Sequence, residues 1–168
     1  MKGNTRILVE GALAASLALA LSYVKLFRMP QGGSITLENV PLLIFALRYG
    51  IKAGFGAGAV AGLLQLILGG YVAHPIQALL DYPIAFGALA LAGATPRRHW
   101  IGITAGTLAR LACHVASGVV FFASYAPEGQ NPLLYSLVYN GSYMVPNLLI
   151  SILLIEVLWK RLPTPVGR

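Results

Sequence analysis

The sequence predicts an all-α integral membrane protein, a bundle of six transmembrane helices with both termini on the cytoplasmic side. Three observations predict it. Of the 168 residues, 57% are hydrophobic and 10% are charged, whereas an ordinary soluble domain carries about 25% charged residues. The deficit runs along the whole chain, as in a polytopic protein, and is not confined to one anchor. The apolar runs are long and do not alternate, and an open sheet would leave backbone N–H and C=O groups unsatisfied in lipid, so the spans are expected to be helices. Finally, the basic residues are unevenly distributed between the two sides that such spans define.

The first span covers residues 5–26 and is entered through Lys2 and Arg6. Its basic flank resembles a signal peptide, but the apolar run is too long for an h-region and no cleavage site follows, so the helix is expected to be permanent. Ala14-x-x-x-Ala18 and Gly11-x-x-x-Ala15 place small residues four apart, a spacing that admits a second helix at close range. Packing within the chain and contact with a partner both satisfy it. Lys25 to Glu38 reads as a loop, with Pro30, Gly32-Gly33 and one short extended piece at Ser34-Ile35-Thr36-Leu37. A short second span, 39–49, is followed by a break at Arg48-Tyr49-Gly50-Ile51-Lys52. The third, 53–68, carries Gly54, Gly58 and Gly62 at every fourth position, which is a close-packing ridge.

Gly69, Gly70 and Pro75 mark the next turn, and the fourth span is 76–94. Thr95-Pro96-Arg97-Arg98-His99 closes it. The fifth span, 100–124, the turn Ala126–Pro132, and the sixth span, 133–159, lead to a basic tail. With six spans, Lys2, Arg6, Arg48, Lys52, Arg97, Arg98, Lys160, Arg161 and Arg168 share the side of the termini, nine of the twelve Lys and Arg residues. Lys25 and Arg28 lie opposite, and Arg110 lies within a span. This bias makes the termini cytoplasmic and turns the loops 25–38, 69–75 and 125–132 outward. The net charge of +7 is then the charge that sets topology beside a lipid bilayer, and no nucleic-acid partner is expected. A single cysteine, Cys113, excludes an internal disulfide and a cysteine metal cluster.

Polar and ionisable side chains gather between Arg110 and Asn147. Arg110, His114, Gly118 and Phe122 recur every four residues and so share one helix face. Tyr135, Tyr139, Asn140 and Tyr143 return on the next helix. Ionisable groups inside a membrane are costly unless paired or wet, which makes Asp81 and His114 functional candidates. Asp81 is placed to neutralise a cationic ligand or to pair with Arg110 or His114, and a purely structural salt bridge is also open. Phe121, Phe122, Tyr125, Tyr135 and Tyr139 suit stacking on a planar ring or lying over a cation; Tyr71 and Tyr125 suit an interfacial belt equally well. Arg110 supports the floor electrostatically, whereas Glu10 and Glu156, close to the cytoplasmic ends, are expected to be helix-end or partner contacts. There is no GxSxG, HExxH, Walker loop or DxxxD pair, and His74, His99 and His114 are scattered. No catalytic set, metal site or resident cofactor is expected, and the chain alone does not couple ATP.

Leu79-Leu80-Asp81-Tyr82, then His114-x-x-x-Gly118-x-x-x-Phe122-x-Ser124-Tyr125-Ala126-Pro127-Glu128-Gly129, then Tyr135-Ser136-Leu137-x-Tyr139-Asn140-Gly141-Ser142-Tyr143 closely resemble the thiamine-specific substrate-binding subunits, or S-components, of energy-coupling factor transporters. The resemblance covers essentially the whole chain. It implies one membrane-embedded substrate-binding domain, residues 1–168, that captures thiamine from outside and is not an enzyme. A transmembrane coupling protein and two ATPase subunits would drive release inward. Residue by residue, it implies ligand-binding roles for Asp81 and Tyr82, His114, Gly118, Tyr135, Asn140 and Tyr71, with Phe122 as a stacking ring where the family carries tryptophan nearby. It also implies a partner contact through Ala14 and Ala18. Asp81 stands where the family usually has Glu, and a tryptophan expected in the first outer loop is absent. Two other readings stay open: an S-component for another vitamin or a thiamine precursor, and a small intramembrane enzyme using Asp81 and His114 as acid and base.

Overall fold

The computed structural model describes residues 3–30 and 32–162; Lys2 and Arg168 of the charge count lie outside the described residues. Helix α1 is Gly3–Ser22, and the strands β1, Phe27–Arg28, and β2, Ser34–Ile35, pair antiparallel in the loop that follows. Then come α2, Asn39–Ile67; α3, Pro75–Ala94; α4, His99–Phe121; a short 3-10 turn, Ala123–Tyr125; and α5, Pro132–Trp159. Five of these helices are long and apolar enough to cross a membrane. The first and fifth expected spans end earlier than expected, at Ser22 and Phe121, because the next residues turn into the loops that build one end of the molecule.

Helix α2 is folded back on itself. Gly50 has φ 84° and ψ −179°, a conformation open essentially to glycine alone. The arms on either side are 39–49 and 51–67, so one kinked helix stands where two separate spans, 39–49 and 53–68, were expected. Gln65 Nε2 lies 3.2 Å from Glu38 Oε2, whereas a straight helix would separate these residues by about 40 Å. Nearer the bend, a Cβ built on Gly54 would stand 2.7 Å from that of Ala46.

The glycine ridge predicted on the second arm receives α3. A Cβ on Gly58 would strike the carbonyl of Phe86, and one on Gly62 would strike the backbone of Tyr82. Helix α3 itself widens into a π-type turn over Leu80–Ile84, where Pro83 brings no N–H to the helical ladder. This wide turn carries Asp81. Below it, Leu42, Leu43, Leu47, Phe86, Leu89, Ile103 and Ile155 form a fully buried core, while Leu8, Leu13, Ile67, Val120, Val138 and Leu153 cover the outside with apolar surface.

At one end of the bundle Glu10 accepts from Arg6 at 2.7 Å and lies 3.6 Å from Arg48, and Glu156 lies 3.3 Å from His99, whose ring packs on Trp159. Both glutamates thus have ionisable partners within the chain, away from the cavity. On α1, Ala14 is 9% exposed and Ala18 0%, packed in the same core as Val40, Leu43 and Phe45, which is the within-chain packing that the spacing allowed. The exposed small residues of α1 are Ala12, Ser16 and Ala20.

Candidate functional site

At the end of the bundle away from Glu10 and Glu156 lies a cavity of about 780 Å³. All eight residues singled out as ligand-binding candidates line it: Tyr71, Asp81, Tyr82, His114, Gly118, Phe122, Tyr135 and Asn140. Six parts of the chain converge there, namely the end of α1 at Leu19 and Ser22, the loop with β1 and β2, the two ends of α2 at Asn39 and Gln65, α3 with the loop before it, α4, and α5.

The π-type turn presents the Asp81 carboxylate to α4. Its Oδ2 accepts from Gln77 Nε2 and from Ser117 Oγ, both at 2.7 Å, and its Oδ1 lies 2.9 Å from His114 Nδ1. Asp81 therefore pairs with His114 and not with Arg110. Arg110 Nε donates to His114 Nε2 at 3.3 Å. A ring nitrogen that accepts carries no proton, so the imidazole proton resides on Nδ1 and points at Asp81. The rest of the Arg110 fork donates to Glu38 Oε1 at 2.9 Å and to Asn39 Oδ1, and the guanidinium lies 3.8 Å above the ring centre of Phe86. Floor support was the expected role of Arg110; the partner through which it acts, Glu38, was not expected.

Gly118 brings α4 against α5, because any Cβ there would strike Ser136. Ser136 Oγ donates to Val115 O at 3.2 Å, Asn140 Nδ2 donates to Ser136 O at 2.9 Å, and Tyr143 donates to Asn140 Oδ1 at 2.6 Å. Asn140 is therefore held in one rotamer at the cavity wall. Above this layer stand two aromatic groups. Tyr71, Phe122 and Tyr125 succeed one another at centroid distances of 6.2 and 5.8 Å, and Tyr135, Tyr139 and Tyr143 at 6.1 Å each. Tyr71 is 63% exposed, so it flanks the mouth. Phe121 does not join the cavity lining; its ring stacks on His74 at 5.1 Å.

Tyr82 lines the cavity and also anchors its rim, its hydroxyl accepting from Tyr71 N at 2.7 Å. The opposite rim is fixed by Asn147, which accepts from Thr36 N and donates to Ser34 O, each at 3.0 Å. Gln77 and Ser117 were missed from the sequence although both carried a signal: Gln77 stands four residues before Asp81 and Ser117 three after His114, on the same helix faces. Glu38 carried none, since its partners Gln65 and Arg110 stand 27 and 72 residues away in the sequence. No group of three or more His, Cys, Asp or Glu that would hold a metal ion occurs among the described residues.

Residues 8–166 match the sequence model of a family described as thiamine transporter protein. The chain belongs to this thiamine transporter protein family. It is 37% identical to thiamine transporter ThiT of Bacillus subtilis (strain 168), over 93% of this chain and 91% of that protein, and 33% identical to thiamine transporter ThiT of Lacticaseibacillus paracasei, over 90% and 86%. The solved structure of ThiT from Listeria monocytogenes superposes with a TM-score of 0.86 at 30% identity, over 94% of this chain and 95% of that one. Its close superposition gives the family fold to the whole described chain, and the apolar helices are those of a membrane protein.

Proposed function

We propose that this chain is the substrate-capturing S-component of a thiamine uptake transporter, binding thiamine in the cavity between α3, α4 and α5 with no catalytic role. The observation that carries the reading is Asp81. Its carboxylate stands at the floor of a cavity walled by tyrosines and Phe122, in a chain of the thiamine transporter family. Thiamine carries a permanent thiazolium cation and a planar aminopyrimidine. A low-dielectric carboxylate suits the first, and aromatic faces with fixed hydrogen-bonding groups such as Asn140 and His114 suit the second.

In this reading six helical rods cross the plasma membrane, the two arms of α2 counting as two of them. Both termini are cytoplasmic, as the basic residues favour, and the cavity opens to the outside. Handover inward needs energy that this chain does not supply, so a transmembrane coupling protein and two ATPase subunits are its partners. The face of α1 carrying Ala12, Ser16 and Ala20 is exposed and offers such a partner a close approach.

Calorimetric or fluorescence titration of the detergent-solubilised protein with thiamine, pyrithiamine, thiamine monophosphate and riboflavin tests the reading. Saturable one-to-one binding that favours thiamine, with thiamine recovered unchanged, is the expected result. Preference for riboflavin, or turnover of the ligand, would overturn it.

A further inference from the structure

Four side chains at the floor of the cavity carry charge or can acquire it: Glu38, Asp81, Arg110 and His114. All are largely buried, so their interactions are weakly screened by salt. Arg110 is bound on every edge. It holds Glu38 through Nη2, Asn39 through Nη1 and His114 Nε2 through Nε. Gln65 completes Glu38 from the second arm of α2. Asp81, by contrast, is met by Gln77, Ser117 and His114 Nδ1 and by no Lys or Arg side chain among its hydrogen-bond partners. Lys25 and Arg28 reach the lining only at the exposed mouth, where water screens them.

From this arrangement we propose that the Glu38–Arg110 pair determines ligand charge specificity without needing to touch the ligand. Arg110 cancels Glu38 and fixes His114 as the neutral Nδ1–H tautomer, so that the floor sums to one negative charge and that charge is Asp81's. The cavity then takes a heteroaromatic cation in preference to its neutral isostere. Arg110 is a positioning residue here, and Glu38 is its counter-charge. The proposal rests on the reading of the cavity as the ligand site and adds which buried pair sets its charge.

The test measures affinity for thiamine and for the isosteric analogue in which a neutral thiophene replaces the thiazolium ring. The wild-type protein is expected to prefer the cation. Glu38→Gln leaves Arg110 uncompensated and the floor neutral in sum, so that preference should fall about ten-fold or more. Adding Arg110→Gln restores the sum, and the preference should return to within about three-fold of wild type. A merely structural pair would not behave this way, because the second substitution would compound the first. An unchanged preference in Glu38→Gln, or a double variant no closer to wild type than the single one, would overturn the proposal. A wild-type protein that binds neither compound would instead sink the ligand reading itself. A measurement on the unsubstituted protein guards against variants that fail to fold: ¹⁵N NMR of labelled histidine, with the His114 signals identified by their loss in His114→Gln. A single proton on Nδ1 is expected; a proton on Nε2 would overturn the proposal.

Discussion

Gln77 donates to the Asp81 carboxylate at 2.7 Å while the same amide grips the loop that carries Tyr71. Its Oε1 accepts from Ala73 N at 2.9 Å and its Nε2 reaches Tyr71 O at 3.3 Å. Gln77 is 2% exposed, so these bonds are held away from bulk water. Gln77→Leu should therefore loosen the rim and leave Asp81 short of a donor together. Hydrogen bonds to a charged group contribute about 1.5–3 kcal/mol, so thiamine affinity should fall by about 10- to 100-fold. Hydrogen exchange of residues 70–74 should quicken in the same variant. Normal affinity with normal exchange would remove Gln77 from the site.

Asp81→Asn keeps the shape of the floor and removes its charge. A charge-assisted contact in a partly desolvated site is worth several neutral ones, and thiamine affinity should drop about 100-fold or more. Phe122→Trp enlarges a stacking face without altering charge, and its effect should stay within about five-fold. Titration of both variants against wild type decides the matter: equal, negligible changes would take Asp81 out of the binding site.

The polar stretch was readable because helical spacing alone puts Arg110, His114, Gly118 and Phe122 on one face, and because charges and amides stand out in apolar sequence. The fold at Gly50 was readable as a break, from Arg48, Gly50 and Lys52 interrupting two apolar runs. What the break does was not readable. A hairpin there brings Glu38 beside Gln65, and packing against α4 sets Glu38 on Arg110; no local pattern encodes contacts between residues so distant in sequence. The orientation of α1 was not readable for a different reason. Between Gly11 and Ala20 every face of the helix is small or apolar; lipid and protein core are equally apolar neighbours, so periodicity does not distinguish Ala14 and Ala18, which are buried, from Ala12 and Ser16, which are exposed.

Gly118 tests whether the approach of α4 to α5 shapes the cavity. A methyl group there would meet both Oγ and Cβ of Ser136, the residue that holds Asn140 through its carbonyl and hydroxyl oxygens. Overpacking of this kind typically costs about 1–3 kcal/mol. Gly118→Ala should weaken thiamine binding, and Gly118→Ala with Ser136→Gly, which clears both colliding atoms, should recover part of the loss. A double variant that binds worse than Gly118→Ala would show that Ser136 matters through its own hydrogen bonds and not through this contact.

Gly50 and Gly56 lie six residues apart in α2 and should respond oppositely to the same substitution. Gly50 has φ 84° and sits where the arms reverse, with the backbone of Gly93 packed close against it. An alanine there must either adopt a conformation that costs about 1–3 kcal/mol or open the hairpin, which would part Gln65 from Glu38. Gly56 is an ordinary helical position with open space around its Cα, and alanine there should stabilise by about 0.5–1 kcal/mol through helix propensity. Thermal unfolding in detergent should therefore give a lower midpoint for Gly50→Ala and an equal or higher one for Gly56→Ala. Because the reversal supports the cavity floor through Glu38 and Arg110, Gly50→Ala should also lose thiamine affinity below its own midpoint, whereas Gly56→Ala should keep it. A Gly50→Ala protein as stable and as tight-binding as wild type would mean that the bend does not depend on glycine and that Glu38 is held in place by other means.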